Sequence, residues 1–219
     1  MKKTMSNINH HLTDALLMGY SAGTLPEAFS LVVATHVSLC DECRARLAAL
    51  DAVGGEVMLD CGQEAVSADC LAATLAMIAD GKGREDAPKA RRKGALPAPL
   101  QDYVGGDLDA IRWRKVGGGV RQMVLRTAGD ASVRLLHIPA GQAVPDHGHR
   151  GTELTLVLQG AFRDETDRFG VGDVEVADED LNHKPIAEAG ADCICLAATD
   201  APLRFNAFVP RMAQRFIGI

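Results

Sequence analysis

The sequence predicts a two-domain fold, in which an all-α N-terminal domain of about four helices is followed by an all-β barrel. Apolar residues recur at helical spacing through the first third of the chain, whereas short segments rich in Val, Leu and Ile recur after Leu100, separated by Gly, Asp and Pro. The stretch between these regions is rich in proline and basic residues. We therefore place the helical domain at residues 5–80, a linker at 81–99 and the barrel at 100–219.

Four apolar segments support the helical domain. The first covers residues 12–20, and the second begins at Pro26, which suits a first helical position, and continues to residue 36. The third begins near Asp41, and the fourth covers roughly residues 63–78. We expect the pair Gly54-Gly55 to bend or interrupt the third helix, because glycine is a poor helix former.

Six short segments are the expected strands of the barrel. Regular short strands between turn signals are typical of an all-β sandwich or barrel. The segments are Ile111–Val116, Val120–Arg126, Ser132–Ile138, Leu154–Leu158, Asp192–Ala197 and Leu203–Val209.

The composition is that of a folded, mildly acidic protein. Hydrophobic residues make up 47% and charged residues 24% of the 219 residues, and the formal net charge is −6. Direct DNA contact is disfavoured because proteins that bind phosphates usually carry positive charge, whereas an acidic regulator is suited to masking a basic partner. The sequence contains neither a run of about 18 apolar residues nor a signal-peptide pattern. We therefore expect a cytoplasmic protein, in which six cysteines indicate metal binding or redox chemistry.

A group of metal-ligating residues lies where the second and third predicted helices meet. His36 and Cys40 are four residues apart, so a helix would present both on one face, and Cys43 follows three residues later. Two thiolates and two imidazoles suit zinc, which needs a fourth ligand in a tetrahedral site. His10 and His11 both precede the first helix and either can complete the site. We favour His11 because it lies nearer to the helix.

A longer motif lies in the predicted barrel. Residues 141–160 fit the pattern G-x5-H-x-H-x3-E-x6-G without a gap. His147 and His149 are two residues apart, so a strand would point both to one side, and Glu153 can return to the same space after a turn. His183 is the candidate fourth ligand. A site with three nitrogens and one oxygen accepts Zn, Mn, Fe, Ni or Cu.

The remaining cysteines carry weaker signals. Cys193 and Cys195 would share one face of a strand, and we interpret them as small buried hydrophobic residues, with a redox pair or added metal ligands as the alternative. Cys61 and Cys70 have no partner motif, and we interpret them as structural.

Both motifs resemble those of known families. An early histidine followed by His-x-x-x-Cys-x-x-Cys is typical of the zinc-binding anti-sigma (ZAS) family, a resemblance that covers about residues 5–80. The family motif is matched one by one at His11, His36, Cys40 and Cys43. Residues 141–160 resemble the first cupin motif, although the Pro-x-Gly usual in the second cupin motif is missing before His183.

The two resemblances together imply a regulatory protein. A zinc anti-sigma domain followed by a cupin domain is similar to the anti-sigma factors of the singlet-oxygen response of photosynthetic bacteria. The resemblance implies a 1:1 heterodimer with an extracytoplasmic-function (ECF, group IV) sigma factor and one Zn²⁺ in each domain. It also implies release of the sigma factor when the cupin domain senses singlet oxygen or oxidative stress. It implies no enzymatic activity and no direct contact with nucleic acid or membrane.

The alternative is a metal-dependent cupin enzyme, such as a dioxygenase or isomerase, that carries a zinc-bound docking domain. Redox-active iron or copper in the barrel, with turnover of a small substrate, would favour the enzyme, because the cupin fold hosts both enzymes and binding modules. Zinc in both domains and stable co-purification with a sigma factor would favour the regulator. A metal-storage or DNA-binding protein is a third interpretation, and the acidic charge disfavours DNA binding.

Overall fold

The computed structural model describes residues 8–81, 94–148 and 150–201, together with the backbone of 204–205. Within these ranges there are five α-helices, where the sequence predicted about four. They are α1 (Asp14–Ser21), α2 (Glu27–Val37), α3 (Asp41–Leu59), α4 (Cys70–Ala79) and α5 (Ala98–Val104). The first four correspond to the predicted segments, and α5 crosses the predicted boundary between linker and barrel. No helix in the described part of the chain is both long and apolar enough to cross a membrane.

The helix boundaries differ from the predicted ones at three places. The expected interruption at Gly54-Gly55 is wrong, because α3 continues through both glycines. A glycine costs a helix only about 1 kcal/mol relative to alanine, which a helix of 19 residues tolerates. Helix α4 begins at Cys70 instead of near residue 63. Pro26 is the N-cap of α2 with extended backbone, so the first helical residue is Glu27.

The C-terminal part consists of strands in three antiparallel sheets. The strands are β1 (Arg114–Gly117), β2 (Val120–Leu125), β3 (Ser132–Ile138), β4 (His147–Gly148), β5 (Glu153–Gln159), β6 (Ala161–Arg163), β7 (Arg168–Gly170), β8 (Val174–Ala177), β9 (Asn182–His183), β10 (Ile186–Ala187), β11 (Cys193–Thr199) and β12 (Arg204–Phe205). The sheet orders are β1-β2-β3-β11-β5-β8, β10-β6-β7 and β12-β4-β9. The predicted β architecture is confirmed, whereas the described strands do not join into the closed barrel that we expected.

One hydrophobic core joins the helices to the large sheet. Helix α2 packs against β11, β5 and β3. Its buried residues, among them Val32, belong to the same cluster as Leu154 and Leu156 of β5 and Leu196 of β11. The helical part and the strand part therefore bury apolar surface against each other and are not joined by the linker alone.

A carboxylate fixes the first turn of α2 to the strand part. Glu27 accepts a hydrogen bond from the Tyr103 hydroxyl at 2.6 Å and from the Ala128 N–H at 2.5 Å. The bond to Glu27 and burial raise the pKa of Tyr103 to about 12, so the phenol stays protonated and keeps donating at neutral pH. This contact connects α2 to α5 and to the loop before β3.

The shared core predicts that both parts unfold together. Replacing Leu196, which is fully buried, by alanine should lower the free energy of unfolding by about 2–5 kcal/mol. Far-UV circular dichroism follows the helices, and the fluorescence of Trp113, the only tryptophan, follows the edge of the core. We expect the two melting curves to shift together.

The exposed Val124 of β2 provides the control, since Val124→Ala should change the unfolding free energy by less than about 0.5 kcal/mol. Separate midpoints for the two signals in Leu196→Ala would show that the helices and the sheet do not form one cooperative unit.

Candidate metal centres

Four side chains converge where α1, α2 and α3 meet. They are His11, His36, Cys40 and Cys43, and their ligand atoms all lie within 4.8 Å of one another. The Nδ1 atom of His11 is 3.3 Å from the sulfur of Cys40 and 3.7 Å from the sulfur of Cys43. We call these four residues the helical cluster.

Local helix geometry places the two thiols. His36 lies in the last turn of α2, and its carbonyl accepts the N–H of Cys40 at 2.9 Å. Cys40 is the N-cap of α3, where its sulfur accepts the N–H of Cys43 at 3.4 Å. The end of one helix and the start of the next therefore bring the three candidate ligands of the motif to one point.

The structure separates the two candidate early histidines. His11 points into the helical cluster, with its Nε2 atom 3.4 Å from the carboxylate of Glu42. His10 lies instead against the strand part, where its ring packs on Phe169 with centroids 4.4 Å apart. Its Nε2 atom is 3.2 Å from the carboxylate of Asp167.

The state of His36 fits a metal ligand. The ring is fully buried, and burial lowers its pKa to about 4, so the imidazole is neutral at pH 7. Its Nδ1 atom donates to the carbonyl of Gly172 at 2.9 Å, which leaves the lone pair on Nε2. That Nε2 atom is buried and has no hydrogen-bond partner among the described residues. An orphaned acceptor beside two thiols is what a zinc site requires, because zinc binds neutral imidazole and thiolate.

The thiols point to the same conclusion. Burial raises the pKa of Cys43 to about 11, and the nearby Cys40 adds to the rise. The Cys43 thiol therefore resists ionisation unless a cation offsets its charge. Zinc does so on binding, since a coordinating thiol is deprotonated outright.

The second centre contains His147 and His183, on the paired strands β4 and β9. His147 donates from Nδ1 to the carbonyl of Pro145 at 2.8 Å, and His183 uses Nδ1 toward carboxylates, so in the neutral form of each ring the lone pair lies on Nε2. The two Nε2 atoms are 3.3 Å apart and buried. Two nitrogens bound at about 2.0–2.1 Å to one tetrahedral ion have nearly this separation. The pair therefore fits a shared metal ion.

Two buried carboxylates hold His183 in place. Its Nδ1 atom is 2.8 Å from Asp164 and 3.1 Å from Glu175. Burial alone would lower the pKa of His183, but the hydrogen bonds and charges of Glu175 and Asp164 raise it to about 9. A carboxylate on the outer nitrogen of a histidine is common around metal ions, where it fixes the ring and strengthens the ligand.

The other two predicted ligands of this motif are less fully described. Glu153 begins β5 and is half-buried, and its carboxylate accepts from the Thr155 hydroxyl at 3.0 Å. Burial lowers the pKa of His147, and the charge of Glu153 opposes that shift, which indicates that the carboxylate lies near the ring. His149 lies outside the described residues.

Sequence reasoning missed the carboxylates around the second centre. Asp164 and Glu175 lie 19 and 8 residues before His183 along the chain, and neither belongs to the cupin pattern as we applied it. The only signal that could have found Glu175 is its position two residues after Asp173, in the segment where the second cupin motif begins.

The other cysteines fall into two groups. Cys193 and Cys195 are buried on one face of β11 with their sulfurs 3.4 Å apart, as their spacing predicted. Cys61 and Cys70 are exposed, so the interpretation of these two as structural residues is wrong. They lie at the end of α3 and the start of α4, where the described chain provides no core to bury them.

Comparison with known proteins identifies the family. Residues 101–201 match the model of the ChrR cupin-like domain. The chain is 64% identical over 212 residues to the anti-sigma-E factor ChrR of Cereibacter sphaeroides, which covers 97% of this chain and 99% of that protein. The chain belongs to the ChrR family of anti-sigma factors.

Solved structures agree with this assignment. A chain in the crystal structure of Rhodobacter sphaeroides SigE in complex with the anti-sigma ChrR matches with a TM-score of 0.79 and 62% identity. The match covers 89% of this chain and all of that one. Membership of the ChrR family supports the regulator and not the enzyme that we considered as the alternative.

The helical cluster predicts a specific effect of losing one thiol. Cys40→Ser should remove or strongly weaken one bound zinc per chain, because serine is a poor zinc ligand and leaves three. Metal content after dialysis, measured by mass spectrometry, tests this prediction.

The exposed Cys61 provides a matched control in the same helical part, and Cys61→Ser should retain the full zinc content. Equal zinc in Cys40→Ser and Cys61→Ser would exclude Cys40 as a ligand.

Proposed function

We propose that this chain is a zinc-binding anti-sigma factor that binds an ECF sigma factor in a 1:1 complex. Helices α3 and α4 contact the sigma factor. The cupin half releases the sigma factor when it senses singlet oxygen. The observation that carries this proposal is the exposed apolar surface of α3 and α4 in a chain that belongs to the ChrR family.

Helix α4 has the composition of a buried helix but none of its residues is buried. Its ten residues, Cys70–Ala79, include no charged side chain. Leu71 and Ile78 are each 70% exposed, and Met58 at the end of α3 is 74% exposed. Exposed apolar side chains of this number on neighbouring segments of the chain are typical of a protein-binding site. We call them the α3–α4 surface.

A sigma factor is the partner that this surface fits best. The relative that matches with a TM-score of 0.79 was solved in complex with SigE. A chain with this fold can therefore bind a sigma factor. Acidic residues, including Asp60, Asp69 and Asp80, border the α3–α4 surface. Their charge complements the basic surface with which a transcription factor meets DNA.

The helical cluster supports this contact by fixing the orientation of α3. His11, Cys40, Cys43 and His36 would hold a zinc ion that serves as a structural cross-link. Their side chains tie the segment before α1 to the junction of α2 and α3. Asp14 of α1 pairs with Arg46 of α3, which strengthens the same junction.

The second centre is the proposed sensor. His147, His149, Glu153 and His183 would hold a second zinc ion, with Asp164 and Glu175 fixing His183. Electron-rich imidazoles held rigidly in place are suitable targets for an oxidant. Damage to this set would favour the released state over the bound one.

A charge placed on the α3–α4 surface should weaken the complex. Ile78→Glu should lower the affinity for the purified partner sigma factor at least about tenfold, because glutamate cannot be buried there unpaired. Isothermal titration calorimetry measures this effect.

The control is Val124→Glu, since Val124 is also exposed but lies on β2 of the large sheet. Both variants should keep the circular dichroism spectrum of the wild type. An unchanged affinity in Ile78→Glu would place the sigma-binding surface elsewhere.

The sensor assignment predicts a loss of response in His147→Ala. The complex of the wild-type chain with its sigma factor should dissociate under singlet oxygen from an illuminated photosensitiser, and the variant complex should persist because the site that responds is incomplete. Size-exclusion chromatography before and after illumination separates the two states.

His137 provides the control histidine of the same part of the chain. It is bound through Nε2 to Asp192 at 3.1 Å on β3, outside the second centre. His137→Ala should therefore respond like the wild type. If His147→Ala releases the sigma factor at the wild-type rate, the sensor is not this site.

A further inference from the structure

The turn between β7 and β8 makes hydrogen bonds to the helical cluster and to the residues next to it. This turn, Gly170–Val174, belongs to the strand part of the chain, yet it makes hydrogen bonds on both sides of the cluster. On one side it contacts the segment 8–11 that leads to the first ligand, and on the other it contacts His36. We call it the β7–β8 turn.

Asp173 holds the backbone just before His11. Its Oδ1 atom accepts the N–H of Asn9 at 2.7 Å and the N–H of His10 at 3.0 Å. Its Oδ2 atom accepts the N–H of Gly170 at 2.7 Å, within the turn itself. The Asp173 residue is 2% exposed, so the carboxylate is buried with three backbone donors around it. A buried carboxylate satisfied in this way is held in one position, because losing any donor would be costly.

The neighbouring residues of the turn complete the attachment. The N–H of Val174 donates to the carbonyl of His10 at 3.2 Å. The turn therefore pairs with both N–H and C=O groups of the segment before His11. Gly172 has a φ of +92°, and the side chain of Ile8 occupies the space where a Cβ at Gly172 would lie. Only glycine fits both the backbone conformation and the space.

The same turn orients the second histidine of the cluster. The carbonyl of Gly172 accepts the Nδ1–H of His36 at 2.9 Å. This bond selects the tautomer in which Nε2 carries the lone pair that faces the cluster. Outer partners of this kind orient a metal-binding histidine and set its affinity for the ion.

We propose that the β7–β8 turn is the outer support of the helical metal site, with Asp173 as the positioning residue for His11 and the Gly172 carbonyl as the partner of His36. The zinc affinity of the helical site therefore depends on the strand half of the chain. This inference rests on the proposed function, in which the helical cluster binds zinc.

Replacing Asp173 by alanine tests the proposal in the full-length chain. Cys40 and Cys43 belong to the helical cluster, so cobalt bound there gives a sulfur-to-cobalt charge-transfer band, and the loss of this band in Cys40→Ser assigns it to the cluster. We expect Asp173→Ala to lower the apparent cobalt affinity measured by this band about tenfold or more. The visible bands of tetrahedral cobalt should also weaken, because His11 no longer stays in place.

Asp107→Ala is the matched control for removal of a capping carboxylate. Asp107 accepts the N–H groups of Ala95 and Leu96 at 2.8 Å each, so it performs the same kind of backbone capping away from the cluster. It should leave the cobalt affinity within about twofold of the wild type. Equal affinities in Asp173→Ala and Asp107→Ala would overturn the proposal.

A second pair of variants leaves the Asp173 side chain in place and changes only one of its donors. Asn9→Pro removes the N–H that Asp173 accepts, whereas Asn9→Ala keeps it, and residue 9 is exposed near the edge of the fold. We expect weaker cobalt binding in Asn9→Pro than in Asn9→Ala, and equal binding would overturn the proposal even if Asp173→Ala fails to fold.

The wild type separates this inference from the proposed function. If the wild-type chain shows no sulfur-to-cobalt band, the helical cluster is not a metal site and the proposed function fails. If the band is present and insensitive to Asp173 and to the N–H of residue 9, only the outer support is wrong.

Discussion

The buried ring of His36 is the point at which the two halves of this chain depend on each other. A buried neutral imidazole needs a partner for each nitrogen, and the two partners come from different parts of the sequence. The carbonyl of Gly172 accepts the Nδ1–H, and Nε2 faces the helical cluster with Cys40, Cys43 and His11. Helix α2 packs on the large sheet and also leads into Cys40, so the ring of His36 reaches both partners.

Burial is distributed unevenly over the helices, and the difference separates structural from binding elements. Helix α2 buries most of its apolar residues against α1, α3, α5 and the sheet. Helix α4 buries none, although it is as apolar as α2. An uncovered apolar helix does not stabilise the fold, because only buried apolar area is removed from water, and exposed apolar area favours association. The fold thus concentrates its internal packing on α2 and leaves α4 exposed, which supports the proposed role of the α3–α4 surface in binding a partner.

Much of this arrangement could be predicted from the sequence because the signals are local. The spacing of His36, Cys40 and Cys43 identified residues that the fold brings together and that could hold a metal ion, and the alternation of apolar and turn residues located strands such as β3 and β11. The short strands β7 and β9 were missed because two or three residues carry too little pattern to be seen. Partners far apart in sequence, such as Asp173 with segment 8–11, were missed because no spacing rule connects them. The core that the helices share with the large sheet was also missed. Periodicity shows that one face of a helix or strand is buried, but it does not show which element covers that face.

The contact between His36 and Gly172 spans 136 positions of the chain. The ligands of the helical cluster are all made early in synthesis, and N-terminal regions begin to fold while the ribosome is still extending the chain. The residues of the β7–β8 turn emerge much later. A nascent chain would thus bring thiols and imidazoles together before their outer hydrogen bonds exist, so tight binding of a metal ion would be delayed until residues 170–174 have left the ribosome.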